Sequence, residues 1–192
     1  LKVVCRQPLS VHAEGYGHPF ARRFDEQEAI LIFDDVLVPW ERVFLLRDGK
    51  LALRGLGRTA PWGHFSTNIR FYHRTLTLFG VAAMIAEAIG VDGRPEVRDK
   101  LGELVTYLEL YRLALVGVEA EAYLTPGGLL APAVSPALGI YAAQISGRLS
   151  EIVRQIGTSG LIMQPSERDL ANPALRPFLD RYMRGKKMGV VE

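Results

Sequence analysis

Three long stretches of this chain repeat apolar residues at intervals of three and four, and no other feature restricts the fold as much. Between Pro61 and Ile89, the residues Ile69, Tyr72, Leu76, Phe79 and Ala83 form one stripe, while Phe71, Leu78, Val81 and Ile85 make the other faces apolar as well. A helix that is oily on most sides is expected at the centre of a fold. Asp92-Gly93-Arg94-Pro95 resets the chain, with Pro95 suited to a first helical position, where a missing N–H costs nothing. Val97, Leu101, Leu104, Leu108, Tyr111 and Leu115 then mark a second helix, expected to stop at Pro126-Gly127-Gly128. Ser135-Pro136 reads as an N-cap followed by proline at N1. Behind it Leu138, Tyr141, Ile145, Leu149, Ile152 and Ile156 define a third helix that runs to Gly157, a natural C′ residue. Pro165, Pro173 and Pro177 leave space beyond it for only a short helix near Leu175 to Met183.

The front of the chain has a different pattern. Leu1 to Cys5 reads as a short strand that leaves into a long loop broken by Pro8, Gly15, Gly17 and Pro19. Ala29 to Phe33 and Val36 to Val38 are β-branched and bounded by Pro39, so they predict a second strand, bent at Asp34-Asp35. Strands followed by long helices predict a mainly α fold, an antiparallel helical bundle attached to the edge of a β domain. A two-stranded unit is marginal in water, so the remaining strands are expected from polypeptide outside this sequence. Leu1 is not an initiating residue, which supports the same expectation of a piece of something larger.

Composition narrows the function classes. With 192 residues, 48% of them hydrophobic, the chain can bury a good core. Its 23 basic and 21 acidic residues leave a net charge of +2, and the basic cluster Arg184-Gly185-Lys186-Lys187 reads as a solvated tail, so no nucleic-acid footprint is visible. The single Cys5 allows no internal disulfide and cannot alone build an iron–sulfur or cysteine zinc site, which fits a reducing compartment, the cytoplasm. No uncharged apolar run approaches the roughly 20 residues needed to span a bilayer, so no membrane role is expected.

The residues offer no self-contained active site. His12, His18, His64 and His73 show neither an i,i+4 pair nor a carboxylate at ligand spacing, so no metal is expected. No nucleophile or phosphate-loop motif is present, and Gly55-Leu56-Gly57 lacks the third glycine of a dinucleotide fingerprint. Gln155-Ile156-Gly157-Thr158-Ser159-Gly160 is a small-residue turn at a helix end, able to approach a phosphate or nucleotide closely; equally, it can be a cap followed by a loop. His73-Arg74 either bond a cofactor or pair with a neighbouring helix. Glu109 and Arg112, at i,i+3, suit a surface ion pair, and neither they nor Glu103 suggest a mechanism.

Three segments, ILIFDDVLVPWERVFLLRDG, KLGELVTYLELYRLAL and GTSGLIMQPSERDLANPALRPFLDRYMRG, resemble in order and spacing the C-terminal half of the 4-hydroxyphenylacetate 3-monooxygenase large-component family. The likeness runs over nearly all 192 residues. It implies an acyl-CoA-dehydrogenase-like fold in which residues 1–46 end a middle β-barrel domain and its linking corner. Residues 47–192 would form a C-terminal helical bundle domain whose closing helix follows Glu192. Pro39-Trp40-Glu41-Arg42 would be the corner between the two, with proline ending the ladder and tryptophan filling the joint. The implied activity is ortho-hydroxylation of a phenol using FADH2 and O2, the FADH2 being delivered by a separate flavin reductase to a homotetramer. The family's phenol-binding residues belong to the portions outside this sequence, so no catalytic residue is carried over and this stretch alone is expected to be inactive. The residues that do carry over, all for cofactor binding, are Gln155, Gly157, Thr158, Ser159 and Gly160, which match the turn that meets the adenosine-diphosphate end of a flavin held largely by a neighbouring subunit. Arg70 and His73, placed at the start of the first bundle helix, are further candidates for that end.

Related readings fit less well. A 4-hydroxybutyryl-CoA dehydratase would need a cysteine seven residues after a helical histidine, and seven after His73 stands Gly80. An acyl-CoA dehydrogenase would show Arg-x-x-Phe-Gly in the first bundle helix, which is not found. A non-catalytic helical oligomerisation module is the alternative from another class.

Overall fold

Lys2–Cys5 (β1) and Ala29–Ile32 (β2) pair antiparallel, with Lys2 opposite Ile32 and Cys5 opposite Ala29. In the computed structural model, which describes residues 1–8 and 16–186, the second strand is thus shorter than the sequence suggests. It ends before Asp34-Asp35, where Asp35 takes φ 47° and turns the chain out of line. The predicted long loop contains a helix, Pro19–Phe24 (α1), started by proline at N1 and carrying Phe20 and Phe24 one turn apart with rings 6.4 Å between centroids. Arg6 ties this region together: it donates to Asp25 Oδ1 at 2.7 Å and to the Glu26 carbonyl, and lies 3.3 Å from Glu28. Pro39 caps a 3-10 turn over Trp40–Arg42.

Among the described residues, those up to Asp48 form one compact unit with Gln164–Met183; Gly49–Met163 and 184–186 form the other. Ser166 and Asp169 close a capping box around the single turn Glu167–Leu170 (α5), and Arg176–Tyr182 (α6) supplies the short helix expected near Leu175.

The second unit is built on Gly49–Ile89 (α2), Pro95–Ala120 (α3) and Pro136–Gly157 (α4), so the chain is mainly helical. Helix α2 has 41 residues, about 60 Å at 1.5 Å per residue, and starts twelve residues before Pro61. A proline inside a helix deprives the i−4 carbonyl, here that of Gly57, of its donor. The segment ahead of it stays helical nonetheless, its Leu, Ala and Arg residues offsetting three glycines, and Trp62 anchors the site by donating Nε1–H to the Leu130 carbonyl at 3.2 Å.

Helix α3 ends at Ala120, short of the expected stop at Pro126. The chain then makes a hairpin of Tyr123–Leu124 (β3) and Leu130–Ala131 (β4), closed by Thr125 and by Gly128 at φ 78°. Ser135 caps α4 as its sequence predicts, its hydroxyl accepting from the Ala137 N–H.

The buried seam of α2 is small and polar. Asn68, Thr75, Ala82 and Ala86 are its buried residues, whereas the large apolar residues of the predicted stripe lie half-buried or exposed around them. Small side chains let α3 and α4 come close, and Leu104, Leu149, Ile152 and Ile156 fill the space against Ala82 and Ala86. Thr75 and Asn68 each satisfy a donor on the helix itself, at Phe71 and His64. Tyr111, fully buried, has its hydroxyl 2.6 Å from the Leu138 carbonyl and 3.1 Å from Asn68 Oδ1, joining all three helices at one level. Asn68 thus lies near the start of α4, while Ala82 and Ala86 share a buried cluster with Leu149, Ile152 and Ile156 of its second half, so α2 and α4 run in the same direction.

Candidate functional site

Helix α4 ends in a tight turn whose geometry differs from a glycine cap. Gly157 is the last helical residue, with φ −78° and ψ −20°, and is not a left-handed C′ residue. Its place is dictated by space, because a Cβ there would stand 2.6 Å from Leu161 Cγ. The positive φ falls on Thr158, at φ 48° and ψ −139°, a conformation that β-branched residues avoid. Thr158 still donates its N–H to the Arg154 carbonyl, and a 3-10 turn over Thr158–Leu161 follows, with the N–H groups of Ile162 and Met163 both 3.0 Å from the Ser159 carbonyl. Gln155, Thr158, Ser159 and Gly160 are all exposed, and a Cβ added at Gly160 would meet open space. A strained, exposed, small-residue turn on the end of a rigid helix has the form of a ligand contact.

Polar side chains stand behind this turn. Arg148 on α4 donates Nε–H and Nη2–H to the two oxygens of Glu103 on α3, both at 2.8 Å, and its Nη1 lies 3.0 Å from Glu151. Tyr107 adds a third bond to Glu103 at 2.7 Å. Glu151 in turn accepts from Gln155 Nε2 at 2.8 Å. The Arg148 bonds, helped by Tyr107, hold the Glu103 carboxyl down at about 2, and the bond to Glu103 raises the Tyr107 phenol. The i,i+3 spacing of Arg148 and Glu151 on α4 is legible in sequence; the partnership with Glu103, 45 residues away, is not. The predicted surface pair is present as well, with Arg112 Nε 2.8 Å from Glu109.

Gln155, Gly157, Thr158, Ser159 and Gly160 are brought together in this one turn, whereas Arg70 and His73 stand elsewhere. They sit in the middle of α2, exposed, 21 and 24 residues beyond Gly49, and so not at the helix start. Ala82 and Ala86 are the α2 residues that share a buried cluster with Leu149, Ile152 and Ile156 of α4, and His73 precedes them by nine and thirteen residues. His73 packs edge-on against Tyr72, with ring centroids 5.3 Å apart. His12 lies outside the described residues, and among those described no group of three or more His, Cys, Asp or Glu side chains could hold a metal. No helix among them is long and apolar enough to cross a membrane. A cleft of about 440 Å³ lies between the Pro61–Trp62 stretch of α2 and the β3–β4 hairpin, a feature that periodicity does not reveal.

Comparison with known proteins now bears on this geometry. Residues 57–192 match the family described as 4-hydroxyphenylacetate 3-hydroxylase C terminal, and residues 1–45 match its N-terminal counterpart. The chain is 38% identical over its whole length to the 4-hydroxyphenylacetate 3-monooxygenase oxygenase component of Thermus thermophilus, of which it covers 40%. It is 30% identical to the oxygenase component of a Rhodococcus opacus 4-nitrophenol 4-monooxygenase/4-nitrocatechol 2-monooxygenase, covering 36% of that protein. A crystal structure of a 4-hydroxyphenylacetate 3-monooxygenase oxygenase component complexed with FAD superposes with a TM-score of 0.90 at 36% identity, over 99% of this chain and 41% of that one. An archaeal 4-hydroxybutyryl-CoA dehydratase, at 24% identity and TM-score 0.81, shares the fold. The chain therefore spans about two fifths of the length of the relatives it matches.

Proposed function

Since the chain belongs to the 4-hydroxyphenylacetate 3-hydroxylase family, we propose that it is part of the oxygenase component of a two-component monooxygenase that hydroxylates a phenol ortho to its hydroxyl. The observation that carries this reading is the 99% coverage, at a TM-score of 0.90, by an oxygenase component that binds FAD. The donor set fits a share of that cofactor. Gln155, Thr158 and Ser159 offer exposed polar groups, Gly157 and Gly160 keep side chains out of the way, and together they would meet the adenosine-diphosphate end. Arg70 and His73, further back along α2 than the residues that pack with the second half of α4, fit a site that a second copy of the chain completes, in keeping with a homotetramer.

Reduced flavin, when bound, supplies the two electrons with which one atom of O2 enters the ring and the other leaves as water. This chain's residues hold the nucleotide end and shape the wall; the groups that orient the phenol belong to the rest of the protein. A separate reductase delivers the FADH2, and the protein works in the cytoplasm. Residues 1–46 would close a β domain and its corner, and 47–192 would form a helical bundle. Leu37, Trp40 and Phe44, which are 91%, 75% and 94% exposed, are the surface such neighbouring polypeptide would cover.

The full-length protein provides the test. Supplied with FAD, NADH and a flavin reductase, it should convert 4-hydroxyphenylacetate or a related phenol to the catechol. Failure to bind FADH2 under anaerobic conditions would overturn the assignment.

A further inference from the structure

Gln155 does not point freely from the end of α4. Its Nε2 donates to Glu151 Oε1 at 2.8 Å, Glu151 is held from the other side by Arg148 Nη1 at 3.0 Å, and Arg148 is locked onto Glu103 of α3 by two 2.8 Å bonds. The four side chains form one line from the interhelical groove to the exposed turn. A planar amide whose nitrogen is tethered presents its oxygen on the other side. That oxygen accepts hydrogen bonds and does not donate them. The Glu151 carboxylate beside it, half exposed, is moreover an unfavourable neighbour for a phosphate.

We propose that Glu151 is a positioning residue for cofactor recognition: braced by Arg148 and Glu103, it turns Gln155 so that the amide oxygen meets a hydrogen-bond donor on the adenylate half of the cofactor, a ribose hydroxyl or the base amine. This inference rests on the flavin-nucleotide reading above and specifies what one residue of that turn recognises. The bracing line crosses from α3 to α4, so the orientation of Gln155 is fixed by tertiary structure and not by α4 alone.

FAD and FMN separate recognition of the adenylate half from general flavin binding, because FMN lacks that half, the adenosine together with one phosphate. Dissociation constants for both reduced flavins would be measured anaerobically on the full-length protein and on its Q155A, E151A and E151Q variants, with thermal melting as the check on folding. In E151A, FAD binding should weaken about fivefold, the equivalent of one ordinary hydrogen bond, with FMN binding unchanged. E151Q keeps a carbonyl oxygen to accept from Gln155 and should restore most of the FAD preference. If Q155A leaves the FAD-to-FMN ratio untouched, the nucleotide reading of the turn itself fails. If Q155A lowers the ratio and E151A does not, the turn stands and the positioning role is wrong. Equal weakening for both flavins in E151A, or no recovery in E151Q, would also overturn it, since general loosening would then account for the loss. Should E151A melt too early to assay, E151Q against the parent protein decides alone: a lost FAD preference refutes the role, and a retained one supports it.

Discussion

Leu161 folds back over Gly157 so closely that a Cβ on the glycine would stand 2.6 Å from Leu161 Cγ and 2.9 Å or less from both of its methyl carbons. Gly157 has ordinary helical dihedrals, so nothing in its backbone requires a glycine. G157A should therefore destabilise by overpacking alone, about 1–2 kcal/mol because a partly exposed leucine can swing aside. Chemical denaturation of G157A, L161A and the double variant checks this: the double variant should lose less than the sum of the two, and strict additivity would show that the contact does not matter.

Thr158 calls for the opposite experiment. Its positive φ costs a β-branched residue about 1–3 kcal/mol, partly offset in a glycine variant by the greater freedom of the unfolded chain. T158G should raise stability by about 1 kcal/mol while leaving the turn without a hydroxyl. A lower melting temperature in T158G would show that the strain is absent.

Glu103 predicts an acid limb. Its carboxyl is lowered from the usual 4.5 to about 2, first by the bonds from Arg148, so the folded state binds the proton less readily than the unfolded one. The resulting stability is fully present above pH 4.5 and is lost as pH falls towards 2. E103Q should flatten the pH dependence of unfolding across that window. A double-mutant cycle with R148M should give a coupling of about 1 kcal/mol, more than a typical exposed pair because the contact is bidentate. Parallel acid limbs for E103Q and the parent protein would rule this out.

Tyr111 is the buried knot of the three helices. Removing its hydroxyl deletes the hydrogen bond that its single proton makes, to the Leu138 carbonyl or to Asn68 Oδ1, so Y111F should cost about 1 kcal/mol. Burial pushes the phenol from 10 up to about 12, so the cost should be constant from neutrality to about pH 9 and shrink above that, as the unfolded parent chain ionises. Denaturant midpoints at pH 7 and pH 9.5 test both statements.

These sites differ in how visible they are in the amino-acid sequence, and the differences are physical. Helix α4 is legible because its signals agree: Ser135 and Pro136 open it, and Ile145, Leu149, Ile152 and Ile156 line one buried face. The start of α2 is hidden because proline is normally read as a boundary, while here tertiary contacts such as the Trp62–Leu130 bond accompany a helix that runs straight through it. The hairpin has two residues per strand, too few for any alternation to register. In the candidate site, the position of the turn follows from its small residues, but the exchange of roles between Gly157 and Thr158 does not, since composition favours glycine for any positive φ. The brace on Gln155 depends on a residue in another helix and has no local signature. Family resemblance, in turn, supplies what periodicity cannot: the flavin, and the expectation that this segment needs more polypeptide to act.

The ribbon formed by β1 and β2 has a practical outcome at the bench. Val3, Val4, Ile30 and Leu31 are each more than half exposed, and among the described residues each strand pairs only with the other, which leaves an outer row of amide groups on either side. Expressed by itself, this stretch would offer two sticky margins to any passing copy, and it should come out of bacteria as insoluble aggregate. Ending each margin with lysine is the way to keep such material in solution.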